Sequence, residues 1–167
     1  RLEGYEMEVA TFRAEGPYRD GRRPASVRFT TAREDAERRD FTVNGLFHDP
    51  IHRVTLDFVG GQADLRRRLL RAIGAPVKRF EEDRLRLLRC IRFAAQLGFR
   101  IETETWRAIV RMARHPHLRD SVSAERVRDE MGKLLQGPWA SQGLRLLSRG
   151  GLLRWVLPEI EAMHGVA

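Results

Sequence analysis

Between Phe80 and Phe93 the chain reads Phe-Glu-Glu-Asp-Arg-Leu-Arg-Leu-Leu-Arg-Cys-Ile-Arg-Phe. Acids and arginines alternate here at helical spacing. Glu82 and Arg86 are four apart, so Glu82 can hold Arg86 in place. Asp83 and Arg86, about a turn apart, then offer an acceptor and a fork of donors, each orienting the other through Glu82. Such a pair can match the polar edge of a nucleobase. Periodicity alone favours a plainer reading, a solvated face with ion pairs of roughly 0.2–0.5 kcal/mol each.

The stretch has no Gly or Pro, and its residues predict one continuous helix. Leu87, Leu88, Ile91, Ala94 and Ala95 share one arc. Glu82, Asp83, Arg86, Arg89 and Arg92 share the opposite one, with Phe93 among them. Cys90 lies beside the polar arc and reads as a semi-buried packing residue. No His stands near it in sequence to make it a nucleophile.

A second row of polar residues comes earlier. Thr31-Ala32-Arg33-Glu34 is a capping box. The helix it opens is expected to carry Arg38-Arg39-Asp40-Phe41-Thr42-Val43-Asn44, which would place Asp40 and Asn44 on one face. Taken alone, that is a salt-bridged surface. Tyr5 to Arg13 alternates as a strand with Glu6 and Glu8 on one face, either an edge strand or a source of a metal-binding carboxylate. Ala14 to Pro24 is a turn-rich loop, and Val27 to Thr30 a second strand. His48 and His52 flank Pro50 and read as loop residues, not ligands. Arg53 to Phe58 is a third strand, and Gly60-Gly61 permits a tight turn. Leu69 to Ile73 is a short strand that Gly74-Ala75-Pro76 breaks.

Beyond Pro76 only helical patterns follow. Thr103 and Ser123 are expected to cap helices, the second with Val127, Met131, Leu134 and Leu135 inward. Gly137-Pro138 and Gly150-Gly151 separate the rest, the last helix spanning Leu152 to Glu161. The fold class is therefore α+β, with strands and helices in residues 1–75 and an all-α part in 76–167.

The net charge of +8 and a pI near 11.0 favour a polyanionic partner such as RNA, DNA or nucleotides. No apolar run reaches the ~20 residues of a membrane span. One cysteine excludes an internal disulfide framework and suits a reducing, cytoplasmic setting.

Glu82-Asp83-x-x-Arg86-x-x-Arg89, followed by Arg92-Phe93-Ala94, resembles the EDxxRxxR motif of class II nucleotidyltransferases, the tRNA CCA-adding enzymes and bacterial poly(A) polymerases. The family usually has Pro after the Asp; this chain has Arg84, which should alter how the helix starts. Arg38-Arg39-Asp40-Phe41-Thr42-x-Asn44 resembles a second motif, and Asp57-x3-Gly61-x2-Asp64-Leu65 a third, a hinge between head and neck. The resemblance implies a partial nucleotidyltransferase head followed by a helical neck. It implies that Asp83 and Arg86 select the base, that Arg39 handles the triphosphate, and that Asp40 and Asn44 handle the ribose. It also implies a flexible loop over Ala14–Pro24 that helps change nucleotide choice.

The same resemblance implies addition of CTP and ATP to the tRNA 3′ end with Mg²⁺, Glu8 being one metal carboxylate. The loop tilts the reading towards CCA addition; a bacterial poly(A) polymerase shares the motifs. A non-catalytic RNA-binding module would need only the charge. The family's paired Asp-x-Asp is expected upstream of Arg1, so the chain as given is expected to bind nucleotide without incorporating it.

Overall fold

The computed structural model describes residues 9–15, 27–116, 118 and 121–163. Strand β1 (Arg13–Glu15) pairs antiparallel with β2 (Val27–Phe29), Arg13 opposite Phe29. The expected strand from Tyr5 is not seen over Val9–Phe12, where one bond, Thr30 N–H to the Phe12 carbonyl at 3.1 Å, extends the ladder. Val9 is 96% exposed, so its apolar alternation meets no packing surface among the described residues. Glu6 and Glu8 lie outside the described residues, as does the expected loop from residue 16 to 24; Ala14 and Glu15 belong to β1.

Helix α1 (Ala32–Arg38) begins as expected, the Thr31 hydroxyl accepting the Glu34 N–H at 3.3 Å. The Glu34 carboxylate takes the Thr30 hydroxyl and the Arg28 guanidinium. The helix ends at Arg38, so the expected helical run to Asn44 is not formed. Arg39 and Phe41 are extended, and only Thr42–Asn44 coil into a 3-10 turn. Phe41 explains the change. It bridges Ala72 antiparallel, and its fully buried ring meets Phe93 edge-on at 5.9 Å. Burying that ring outweighs another helical turn.

Strands β3 (Leu46–Asp49) and β4 (Val54–Asp57) form an antiparallel hairpin. His48 sits in β3 rather than in a loop, its Nδ1 3.3 Å from Thr55 Oγ1 across the pair. The Asp57 carboxylate then accepts the N–H groups of Val59, Gly60, Gly61 and Gln62 and so caps α2 (Gly61–Arg67). Burial alone would raise its pKa; these four donors outweigh that and hold it below the usual carboxylate value. Gly60 supplies a φ of 81°, and a Cβ on Gly61 would stand 2.2 Å from the Thr42 carbonyl oxygen, so this turn admits only glycine there. Strand β5 (Leu69–Leu70) pairs parallel with β6 (Arg100–Ile101).

Between those strands run α3 (Pro76–Glu82) and α4 (Leu85–Leu97). The expected single helix is therefore broken at Asp83. Its backbone is extended, and its carboxylate accepts the Leu85 N–H at 3.1 Å. An Asp side chain offered to the first N–H groups of a helix competes with helical continuation and wins here. Leu87, Leu88, Ile91, Ala94 and Ala95 are buried as expected, but Cys90 is fully buried too, and burial followed by the nearby Asp40 charge pushes its thiol pKa up. The opposite arc is not solvated: Arg86 and Arg92 are each 8% exposed.

Helix α5 (Thr103–Met112) is capped by Glu102, one residue before the expected Thr103; its carboxylate accepts the Thr105 N–H at 2.7 Å. Helices α6 (Ala124–Leu135), α7 (Ala140–Arg149), α8 (Leu153–Val156) and α9 (Pro158–Ala162) follow. Ser123 precedes α6 but its hydroxyl makes no capping bond, Leu135 points outward, and Pro158 divides the expected last helix. Helix α4 packs on α6 and α7, and one core continues from Phe41 and Leu70 through α4 to Leu147 and Trp155.

Candidate functional site

The break between α3 and α4 leaves Asp83 at a helix junction, and α6 reaches it. Arg126 NH2 donates to Asp83 Oδ2 at 2.7 Å and NH1 to Oδ1 at 3.3 Å. With the Leu85 N–H also on Oδ1, three of about four acceptor positions are used among the described residues, and the fourth, on Oδ2, is left. Glu82 holds Arg86 as expected, Oε2 accepting from NH1 at 2.8 Å. The same oxygen accepts from Arg79 NH1 at 3.0 Å. Arg86 and Asp83 are thus anchored separately, and do not orient each other through Glu82.

Arg79 and Arg86 also close the end of α1. Arg79 donates to the Glu37 and Arg38 carbonyls at 2.8 and 3.2 Å, and Arg86 to the Arg38 carbonyl at 3.5 Å. These are the carbonyls a helix leaves unpaired at its C-terminus, where cations are favoured.

Asp40 and Asn44 meet although their helix does not form. Asn44 Nδ2 donates to Asp40 Oδ1 at 2.9 Å, the 3-10 turn bringing the two together. Oδ1 also takes the Phe41 N–H, and Oδ2 takes the Arg89 Nε–H at 2.8 Å, with Arg89 NH2 in ion-pair contact at 2.7 Å. Three acceptor positions of Asp40 are therefore filled, and the Arg89 guanidinium lies against the fourth. Arg89 continues towards Glu130 at 3.7 Å, which binds Arg92 Nε at 2.6 Å. Both arginines lie over the Phe93 ring, at 5.3 and 4.0 Å from its centroid. Asp40, Arg89, Glu130 and Arg92 thus tie the strand-bearing half of the chain to α4 and α6.

Arg39 stands apart from that chain. Its guanidinium binds the buried Asp35 at 2.9 Å and the Asn44 carbonyl at 2.9 Å, and lies 4.8 Å over the Phe47 ring. Burial would raise the Asp35 pKa; hydrogen bonds from Arg38, the Arg13 N–H and Arg39 hold it below the usual value.

Around the junction Arg79, Arg86, Arg89, Arg92 and Arg126 face Asp40, Glu82, Asp83 and Glu130, an excess of positive charge suited to a polyphosphate. Among the described residues no group of three His, Cys, Asp or Glu side chains could hold a metal ion. The local carboxylates each face an arginine instead.

Arg79, Arg126 and Glu130 were not singled out in the sequence. Arg79 stands next to Phe80 in the same stretch, so its spacing to Glu82 was visible. Arg126 and Glu130 lie on a different helix, and only the packing of α6 on α4 brings them in.

Two family models match the chain. The poly A polymerase head domain matches residues 1–71, and the probable RNA and SrmB binding site of polymerase A matches residues 98–163. The junction between α3 and α4 lies between them. The chain is 45% identical to the CCA-adding enzyme of Geobacillus thermodenitrificans over 90% of its own length and 36% of the relative's. It is 44% identical to that of Geobacillus kaustophilus, over 96% and 39%. The chain thus spans under two fifths of the curated relatives it matches. The Bacillus stearothermophilus CCA-adding enzyme in complex with CTP superposes with a TM-score of 0.80 at 38% identity, covering 95% of this chain and 38% of that one. The Thermotoga maritima CCA-adding enzyme complexed with tRNA superposes with a TM-score of 0.70 at 28% identity, covering 77% and 32%. Among the described residues no helix is long and apolar enough to cross a membrane.

Proposed function

The chain belongs to the class II nucleotidyltransferase family of CCA-adding enzymes and bacterial poly(A) polymerases, and on that premise we propose that it supplies base selection in an enzyme adding CTP and ATP to the tRNA 3′ end. The observation that carries this reading is the Asp83 carboxylate, fixed at a helix junction by Arg126 with one acceptor position left.

Cytosine and adenine both carry an exocyclic amino group, N4 or N6, that donates. Guanine, and uracil like thymine, present a carbonyl oxygen at the corresponding place. A carboxylate fixed at that point accepts from C and A and repels the oxygens of U and G. Arg86, held by Glu82, supplies donors to a ring nitrogen of either base and to the carbonyl of cytosine. One protein edge then selects two bases without a template strand.

Arg39 is the triphosphate ligand in this reading, and Asn44 with Asp40 faces the ribose. Because the Arg89 guanidinium lies against Asp40 Oδ2 and the Asn44 amide against Oδ1, a sugar hydroxyl approaches the carboxylate by displacing one of them. Arg89, released, becomes a further phosphate ligand. Mg²⁺ belongs to this proposal through Glu8, which the described residues do not include; when bound it would polarise the phosphate being attacked. The setting proposed is cytoplasmic, where a free thiol such as Cys90 stays reduced.

The names of the similar enzymes support CCA addition over poly(A) synthesis. Titrating the protein with CTP, ATP, UTP and GTP tests the reading: the first two bind, and Asp83→Ala removes the preference. Equal binding of all four bases by the unsubstituted protein overturns it.

A further inference from the structure

At the end of α2 three consecutive arginines, Arg66, Arg67 and Arg68, are all exposed. Arg68 takes the left-handed conformation with φ 51°, and its carbonyl accepts the Arg100 N–H at 3.0 Å. The parallel register of β5 and β6, with Leu69 opposite Arg100, thereby sets a fourth exposed arginine beside the three. The nearest acids turn inward. Asp64 is 3% exposed and is taken by Arg71 and the Thr42 hydroxyl, and Glu102 is spent on the start of α5. Among the described residues these four guanidiniums have no ion pair or hydrogen-bond partner.

The dipole of a helix favours cations in its last turn, which accounts for Arg66 and Arg67. It does not account for Arg100, which comes from a different element. We propose that Arg66, Arg67, Arg68 and Arg100 form a docking patch for the phosphodiester backbone of a helical RNA stem, bound without regard to its sequence. Guanidiniums fit phosphate oxygens two at a time, and four without competing carboxylates release counterions when a backbone takes their place.

The position suits such a stem. From Arg68 the chain runs to Ile73 in at most about 17 Å. The Ile73 N–H there bonds the Asp40 carbonyl at 3.1 Å. A stem on the patch would sit a few nucleotides from a 3′ end seated near Asp40. This placement rests on the function proposed above, although binding of the stem itself does not require it.

The test measures the affinity of the protein for an RNA hairpin across a salt series, with two unrelated stem sequences. Each duplex phosphate contact contributes about 0.9 to the slope of log affinity against log salt. R66Q/R67Q/R100Q should lower that slope by about 2 to 3, and R100Q alone by about 1, equally for both stems and with CTP affinity unchanged. R66K/R67K/R100K should restore most of it. An unchanged slope in both glutamine variants overturns the patch, as does a loss of binding to anionic lipid vesicles with RNA binding intact. If the variants lose slope while the unsubstituted protein fails to discriminate bases, the patch stands and the base-selecting function falls.

Discussion

Arg126 places NH2 2.7 Å from Asp83 Oδ2 across 43 residues of sequence, fixing from α6 the carboxylate that separates α3 from α4. Replacing Arg126 with Met should cost about 1 kcal/mol of stability, since both side chains keep some contact with water. Its effect on base choice should be larger than its effect on stability. CTP and UTP titrations, with thermal melts of the same samples, separate the two; Arg126→Lys should recover part of the discrimination and not all, having no fork.

Asp40 carries more of the fold than the motif alone implies. Asp40→Ala would leave Arg89 and Asn44 without their partner, and should destabilise by about 3 kcal/mol. Asn44→Ala removes a single link and should cost about 1 kcal/mol. If the ribose is read here, Asn44→Ala narrows the difference between CTP and dCTP binding while the protein stays folded. An unaltered CTP to dCTP ratio would make Asn44 a structural residue.

Glu130 is 4% exposed and faces Arg92, itself 8% exposed. Glu130→Ala strands a buried guanidinium and should destabilise by about 3–5 kcal/mol. Glu130→Gln keeps an acceptor and should cost less than half of that. Urea midpoints at constant m-value decide between them.

Asp35, Asp57 and Glu102 all have pKa values below those of ordinary carboxylates, because burial is outweighed by the donors around each. Between the folded and unfolded values the unfolded chain binds more protons. Stability therefore rises with pH in that window, is complete above the ordinary range near pH 4, and is lost as pH falls through the folded values. Asp57→Asn removes its share of that dependence. Its stability deficit relative to the parent protein should be largest at neutral pH and shrink on acidification; a constant deficit would contradict the assignment.

The pairings within one stretch of sequence were legible, and those between distant elements were not. Glu82 with Arg86 was legible from a four-residue gap that the junction between α3 and α4 still closes, and the Asp57 turn from its glycines. Asp40 with Asn44 was found for the wrong reason: a 3-10 turn, not an α-helix, closes the same four-residue gap. The break at Asp83 was hidden because the stretch from Phe80 to Phe93 is rich in helix formers and has no Gly or Pro, and a single capping carboxylate decided otherwise. The polar arc of α4 looked solvated because periodicity cannot show a second helix. Once α6 packs there, Glu130 and Arg126 turn an exposed face into a half-buried ion-pair network.

The central claim is that the Asp83 carboxylate chooses the base, and competition among nucleotides tests it most directly. The protein, its Asp83→Ala variant and its Arg86→Ala variant are each titrated with all four ribonucleoside triphosphates, with melting temperatures taken alongside. A lost hydrogen bond to a charged group is worth about 1.5–3 kcal/mol of discrimination, roughly ten- to 150-fold. The account predicts that Asp83→Ala remains folded and loses the preference for CTP and ATP over UTP and GTP by that factor, with UTP and GTP gaining affinity as the repelling oxygen goes. A folded Asp83→Ala protein that still excludes UTP and GTP as strongly as its parent would contradict it.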